Sequence, residues 1–193
     1  WANPQKVKYG NDDASKAAMA AEDDLGSIYG VQWRNFNGVD QLKNIVNKLK
    51  TDPSDRRMIC SAWAPHELNK MALPPCHYAF QVTVINGKLN LAWNQRSVDV
   101  ACGLPANISS YGLLLHLLAK EANLKEGKLI GFLMDTHIYS NHIDGLKIQL
   151  SQNIHTLPTI QTNNFTSIFD WVYSETELLN YQASHQIKYE VAI

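Results

Sequence analysis

A mixed α+β fold is what this sequence predicts, and three observations carry the prediction. Two runs of alternating apolar and polar residues flank Asn86-Gly87 in "HYAFQVTVINGKLNLAWNQRSVDV", the pattern of an antiparallel hairpin. After Pro105, "SSYGLLLHLLAKEANL" is so apolar that it reads as a buried helix, with Ser109 or Ser110 near its start. Strand-like and helix-like segments interleave along the chain without a strict β-α-β rhythm.

Taken in order, "NDDASKAAMAAEDD" is rich in alanine and acid and reads as a solvated helix or variable insertion, spanning residues 2–24 with its flanks. Leu42, Ile45, Val46 and Leu49 recur at helical spacing, with Asp40 as a cap and Pro53 as the stop. "RRMICSAW" reads as a buried strand. The Asn86-Gly87 dipeptide suits a type I′ turn, because both of its central residues need positive φ. "LIGFLMDTHIYS" reads as a further strand and "HIDGLKIQLSQ" as a short amphipathic helix, and the tail "IKYEVAI" is apolar enough to pack. Without repeats or a low-complexity linker, residues 1–193 are expected to form one domain.

Composition narrows the function. With 45% hydrophobic residues, 18% charged residues and a net charge of −1, the chain has ordinary globular character and no global pull on DNA or anionic membranes. Any anion must therefore be held by locally placed arginines. No apolar run reaches the ~18 residues of a membrane span. Three widely spaced cysteines (Cys60, Cys76 and Cys102) form no zinc pattern and fit a reducing cytoplasm, so no metal is expected. The opening "WANPQKVKYG" lacks the order of a signal peptide and does not start with methionine, so an upstream segment is expected.

Cys76 stands between Pro74-Pro75 and the first hairpin strand. Burial as a small hydrophobe, redox chemistry and a nucleophilic thiolate are all open readings. His77 is adjacent, but neighbours on a strand face opposite ways, so an activating cation must come from elsewhere. Arg96 and Ser97 are residue types that hold a phosphate, by a charged fork and a hydroxyl, although on local grounds alone a surface ion pair is the commoner use. Alternation puts Asn94, Arg96 and Val98 on one face of their strand and Gln95, Ser97 and Asp99 on the other, unless a bulge intervenes. Arg56 and Arg57 are candidates for a positive pocket or for a solvated strand edge. Asp135, His137 and Tyr139 alternate and are expected on one strand face, able to bond a polar ligand. No dinucleotide, P-loop or serine-hydrolase motif occurs.

The stretches "DLGSIYGVQWR", "SDRRMICSAW", "KMALPPCHYAFQV", "NQRSVDVACGLPANISSYGLLLHLLA" and "DTHIYSNHIDGLKIQLS" stand in the order and spacing of thymidylate synthase, and the sequence resembles that family from Leu25 to Ile193. The resemblance implies a large twisted sheet flanked by helices. It also implies reductive methylation of dUMP to dTMP, with methylenetetrahydrofolate as co-substrate, in a cytoplasmic homodimer with shared active sites. It makes Cys76 the nucleophile toward carbon 6 of the uracil and Asn107 the reader of the base edge. Arg96, Ser97 and Gln95 fall around the nucleotide, and Arg56 and Arg57 match arginines that reach the other subunit's phosphate. His137 and Tyr139 match the deoxyribose contacts, and Tyr29 and His77 the proton-transfer network. Asp99 and Gly103 match the pterin wall, Trp1 a tryptophan beside the folate, and Ala192 the closing C-terminal tail.

The departures from the family pattern are specific. Its N-terminal part, with a further phosphate arginine and the catalytic glutamate, has no visible counterpart here. Ala106 replaces a phenylalanine, Ala101-Cys102 replace bulkier residues, Asn94 replaces a common tyrosine, and Met134 stands where glycine is usual. These changes resemble phage-type members, so hydroxymethylation of dUMP is the enzymatic alternative and a non-catalytic nucleotide-binding homologue the other.

Overall fold

A computed structural model describes residues 25–190. Trp1, the 2–24 insertion and the Val191–Ile193 tail with Ala192 lie outside the described residues.

The described fold is α+β, as expected. Helix α1 (Gly30–Arg34) is followed by α2 (Gln41–Thr51), β1 (Ile59–Ser61), β2 (His77–Ile85), β3 (Lys88–Asp99), α3 (Gly103–Glu121), β4 (Lys125–His137), α4 (Ile143–Leu150), β5 (Thr159–Thr162) and β6 (Thr176–Leu179). Strands β1 to β4 form a sheet in sequence order, while β5 and β6 form a separate antiparallel pair. β1–β2 and β2–β3 are antiparallel, and β3–β4 is parallel. A parallel neighbour cannot be reached by a tight turn, so the chain crosses over through the 19-residue α3.

Local chemistry explains most boundaries. Asp40 accepts the Lys43 backbone N–H at 2.9 Å, and α2 buries Ile45, Val46 and Leu49 before ending ahead of Pro53. Asn86 and Gly87 take φ of 51° and 72°, the predicted turn between β2 and β3. Leu89, Leu91 and Trp93 of β3 point inward with Phe80 and Val82 of β2, and α3 covers them with Tyr111, Leu115 and Leu118. The core thus lies between the α2/α3 layer and one sheet face. Gly131 is required there: a Cβ would stand 2.6 Å from the Trp93 ring.

Three expectations need correction. Helix α3 starts at Gly103, not near Ser109 or Ser110. Pro105 fits inside its first turn, where the missing N–H costs nothing, and Ser109 bonds back to the Pro105 carbonyl at 2.9 Å. The β1 strand is three residues long, although Met58, Ala62 and Ala64 around it are also buried. β4 ends at His137, so Tyr139 lies beyond the strand, ahead of a tight turn at Ser140–His142. Up to Glu190 the tail packs: Tyr189 lies against Gly145 of α4, and the Glu190 carbonyl meets His142.

Candidate active site

Cys76 is pinned from both sides just before β2. Its N–H donates to the Tyr29 hydroxyl at 3.1 Å, and its carbonyl accepts from Arg96 N–H at 2.9 Å. The Arg96 side chain turns back from β3. Its Nη2 donates to the Pro74 carbonyl at 2.8 Å and its Nε to the Pro75 carbonyl at 3.1 Å, which leaves Nη2 3.9 Å from Cys76 Sγ. Two consecutive prolines present two carbonyls with little conformational freedom, and the planar guanidinium matches them. The remote cation expected for the thiol is therefore Arg96. Burial raises the Cys76 thiol above its ordinary value, and Arg96 offsets part of that rise. The guanidinium favours the thiolate as expected, but desolvation outweighs it.

His77 turns the other way, as strand alternation requires, and is buried. Its ring stacks on Tyr29 with centroids 4.1 Å apart, and Nδ1 lies 2.9 Å from the Tyr111 hydroxyl. Burial pulls the imidazole down to about 4, and burial, reinforced by the Cys76 charge, pushes Tyr29 up to about 12. Both groups are neutral at physiological pH and act as hydrogen-bonding partners rather than charges. Tyr29 holds a φ of 32°, a left-handed conformation rare for a bulky residue, at the point where its hydroxyl meets the cysteine backbone.

From Tyr111 a buried polar chain runs to Asn107. Tyr111 stacks on Trp93 (5.2 Å, 11°), and the Trp93 indole N–H donates to Gln95 Oε1 at 3.1 Å. Gln95 Nε2 then donates to Asn107 Oδ1 and to the Ser97 carbonyl, both at 3.0 Å. With Oδ1 fixed toward Gln95, Asn107 keeps its NH2 and a second oxygen lone pair for another partner. A ring carbonyl with an adjacent N–H fits that pair of groups. Gln95 and Asn107 are 2% and 5% exposed, so these bonds are made away from bulk water.

A third group closes the β3/β4 end. Asp99 Oδ1 accepts the N–H groups of Ala101 and Cys102 at 3.0 and 3.3 Å. Gly103 lies against Asp99 and Asn107. Asp99 pairs in register with His137, whose ring meets Tyr139 edge-on at 5.0 Å. Asp135 is three-quarters exposed beside His137, at 3.5 Å. Arg56 and Arg57 are not part of this assembly. They lie exposed ahead of β1, with Arg57 3.5 Å from Asp55. Ser97 is half-buried and pairs in register with Asp135. The predicted opposition of Gln95, Ser97 and Asp99 to Arg96 breaks down, since inward alternation runs through Gln95 and then shifts to Val98.

Sequence reasoning missed Tyr111 and Trp93. The tyrosine sits on the apolar stripe of α3, and its hydroxyl in such a setting was the available signal.

The chain matches the family model for thymidylate synthase across residues 1–193. The chain belongs to the thymidylate synthase family. It is 46% identical over 169 residues to the thymidylate synthase of Mycoplasma pneumoniae, covering 88% of this chain and 59% of that protein. It is 47% identical over 175 residues to the Staphylococcus haemolyticus thymidylate synthase, covering 88% and 55%. With that of Mycoplasma genitalium it shares 46% over 188 residues, covering 97% and 64%. The chain thus spans just over half to under two thirds of the length of these relatives. Among the described residues no helix is long and apolar enough to cross a membrane.

Proposed function

We propose that this chain carries the nucleotide-binding and nucleophilic part of a thymidylate synthase, which methylates dUMP reductively with methylenetetrahydrofolate as one-carbon and hydride donor. One observation carries the reading: Cys76 Sγ stands 3.9 Å from a guanidinium that is itself tied to the two preceding proline carbonyls. That arrangement holds a sulfur in place and favours its anion, the two requirements of a nucleophilic thiol.

In this reading the Cys76 thiolate adds to carbon 6 of the uracil, and the electron pair makes carbon 5 a nucleophile toward the one-carbon unit of the folate. Asn107, oriented by Gln95, reads the base edge and stabilises charge on the ring carbonyl. Tyr29 and His77, both neutral, order the water and proton path around carbon 5. Loss of the carbon 5 proton expels the folate amine and leaves an exocyclic methylene. Hydride transfer from the folate then completes the methyl group, and release of Cys76 gives dTMP and dihydrofolate. Arg96 and Ser97 hold the phosphate, His137 and Tyr139 the deoxyribose hydroxyl, and Asp99 and Gly103 the pterin.

Arg56 and Arg57 serve the partner's phosphate in a homodimer. Their exposure and the sheet's uncovered second face support this, since Ile59 on β1 and Ile130, Phe132 and Met134 on β4 are 40–75% exposed there. Three free thiols fit a cytoplasmic setting.

The test is to incubate the full-length protein with dUMP and methylenetetrahydrofolate. Dihydrofolate and dTMP are expected in equal amounts, and Cys76→Ser should abolish both. 5-Hydroxymethyl-dUMP without dihydrofolate would replace reduction by hydration. Nucleotide binding without either product would leave a binding homologue.

A further inference from the structure

The Trp93 indole carries a buried polar group that the reaction leaves without a task. The residue is 4% exposed, and its ring is gripped from two sides. Tyr111 of α3 stacks on it at 5.2 Å and 11°, and Gly131, its register partner on β4, comes so close that a Cβ there would stand 2.6 Å from the ring. The indole N–H is therefore fixed in direction, and it can only donate. Alternation along β3 puts residues 93 and 95 on the same inward face, so this N–H meets Gln95 Oε1 at 3.1 Å.

That contact gives the Gln95 amide a sense. Its nitrogen uses both hydrogens, on the Ser97 carbonyl and on Asn107 Oδ1, each at 3.0 Å. Turned end for end, the amide would set its oxygen against those two oxygens and its NH2 against the indole N–H. At 2% exposure bulk water does not relieve such contacts. The sense passes on to Asn107, whose oxygen must face Gln95. Uracil presents a carbonyl at carbon 4 beside an N–H, so it matches an amide that offers its NH2 to the first and its oxygen to the second. Cytosine presents an amino group beside a bare ring nitrogen, and it matches the same amide rotated by half a turn.

We infer that Trp93 is a positioning residue that sets which pyrimidine the site accepts. Its N–H fixes the Gln95 amide, and through it the Asn107 amide, in the sense that takes uracil and excludes cytosine. The inference rests on the nucleotide reading above and adds a residue that stands behind the two amides in the chain of bonds. The Ser97 carbonyl favours the same sense. Without the indole, however, the Gln95 oxygen is buried and unpaired, and a half-turn that brings it to the Asn107 NH2 relieves that cost. Asn107 is then offered in both senses.

The test is equilibrium binding of dUMP and of dCMP to the full-length protein by titration calorimetry, with no turnover required. Trp93→Phe keeps a ring on Tyr111 and removes the N–H. The preference for dUMP over dCMP, read as the ratio of dissociation constants, should fall about tenfold, the size of one neutral hydrogen bond. A loosened core alone would weaken both nucleotides by one factor and leave that ratio unchanged. Where Trp93→Phe loses its fold or all binding, 3-benzothienylalanine at position 93 serves instead. It has the shape of the indole with sulfur in place of the N–H, and the same fall is expected. A ratio within about twofold of the native one, with dUMP still bound, would overturn the positioning role and leave the nucleotide reading standing. A native protein that binds neither nucleotide, or prefers dCMP, would overturn both.

Discussion

Replacing Arg96 by glutamine removes the charge beside the sulfur while keeping a planar, hydrogen-bonding side chain. At 3.9 Å, with an effective dielectric of about 40 for a half-buried pair, Coulomb's law gives about 2 kcal/mol in favour of the thiolate, roughly thirtyfold in its population. The assay is alkylation by iodoacetamide near neutral pH, followed on the peptide that carries Cys76. Peptide mapping separates it from Cys60, which burial pushes up to about 12, and from Cys102, which burial and then Asp99 push up. Arg96→Gln should slow alkylation of Cys76 about thirtyfold. The plateau rate at high pH, which reports access alone, should change little. Arg96→Lys should fall between the two, because it keeps the charge and loses the fork. An unchanged near-neutral rate in Arg96→Gln would refute the idea that this guanidinium stabilises the sulfur anion.

Three further outcomes are expected. Gly131→Ala drives a methyl into the Trp93 ring and should cost about 1–3 kcal/mol in urea unfolding; a loss under about 0.5 kcal/mol would mean the ring yields freely. Asp40→Ala should cost about 1 kcal/mol through the lost α2 cap, read from the same unfolding midpoint. His77, held near 4 in the fold against an ordinary 6.5, binds its proton more readily when unfolded. Its contribution is therefore intact above pH 6.5 and lost as pH falls toward 4, by about 3 kcal/mol at most. His77→Gln should flatten that part of the stability profile, and an unchanged slope would show that other groups set it.

What could be read from the sequence was local. The Asp40 cap, the Asn86-Gly87 turn and the α2 stripe each lie within a few residues, where spacing alone decides geometry. The parallel pairing of β3 with β4 was not legible, since it depends on α3 carrying the chain back across the sheet. The start of α3 was misplaced because Pro105 reads as a boundary, and nothing local says that Asp99 already gathers the preceding N–H groups. At the site, residue types and the family resemblance pointed to Cys76, Arg96, Gln95, Asn107 and Asp99. The Trp93–Gln95–Asn107 chain was invisible, since its links join a strand to a helix and need the fold to meet. β5 and β6 left no periodic signal in their four-residue runs.

The double tether of Arg96 to Pro74 and Pro75 makes one side chain both anchor and counter-ion. Evolution therefore cannot adjust the acidity of the sulfur at this position without also loosening the backbone that aims it. Drift at position 96 would be penalised twice by a single exchange.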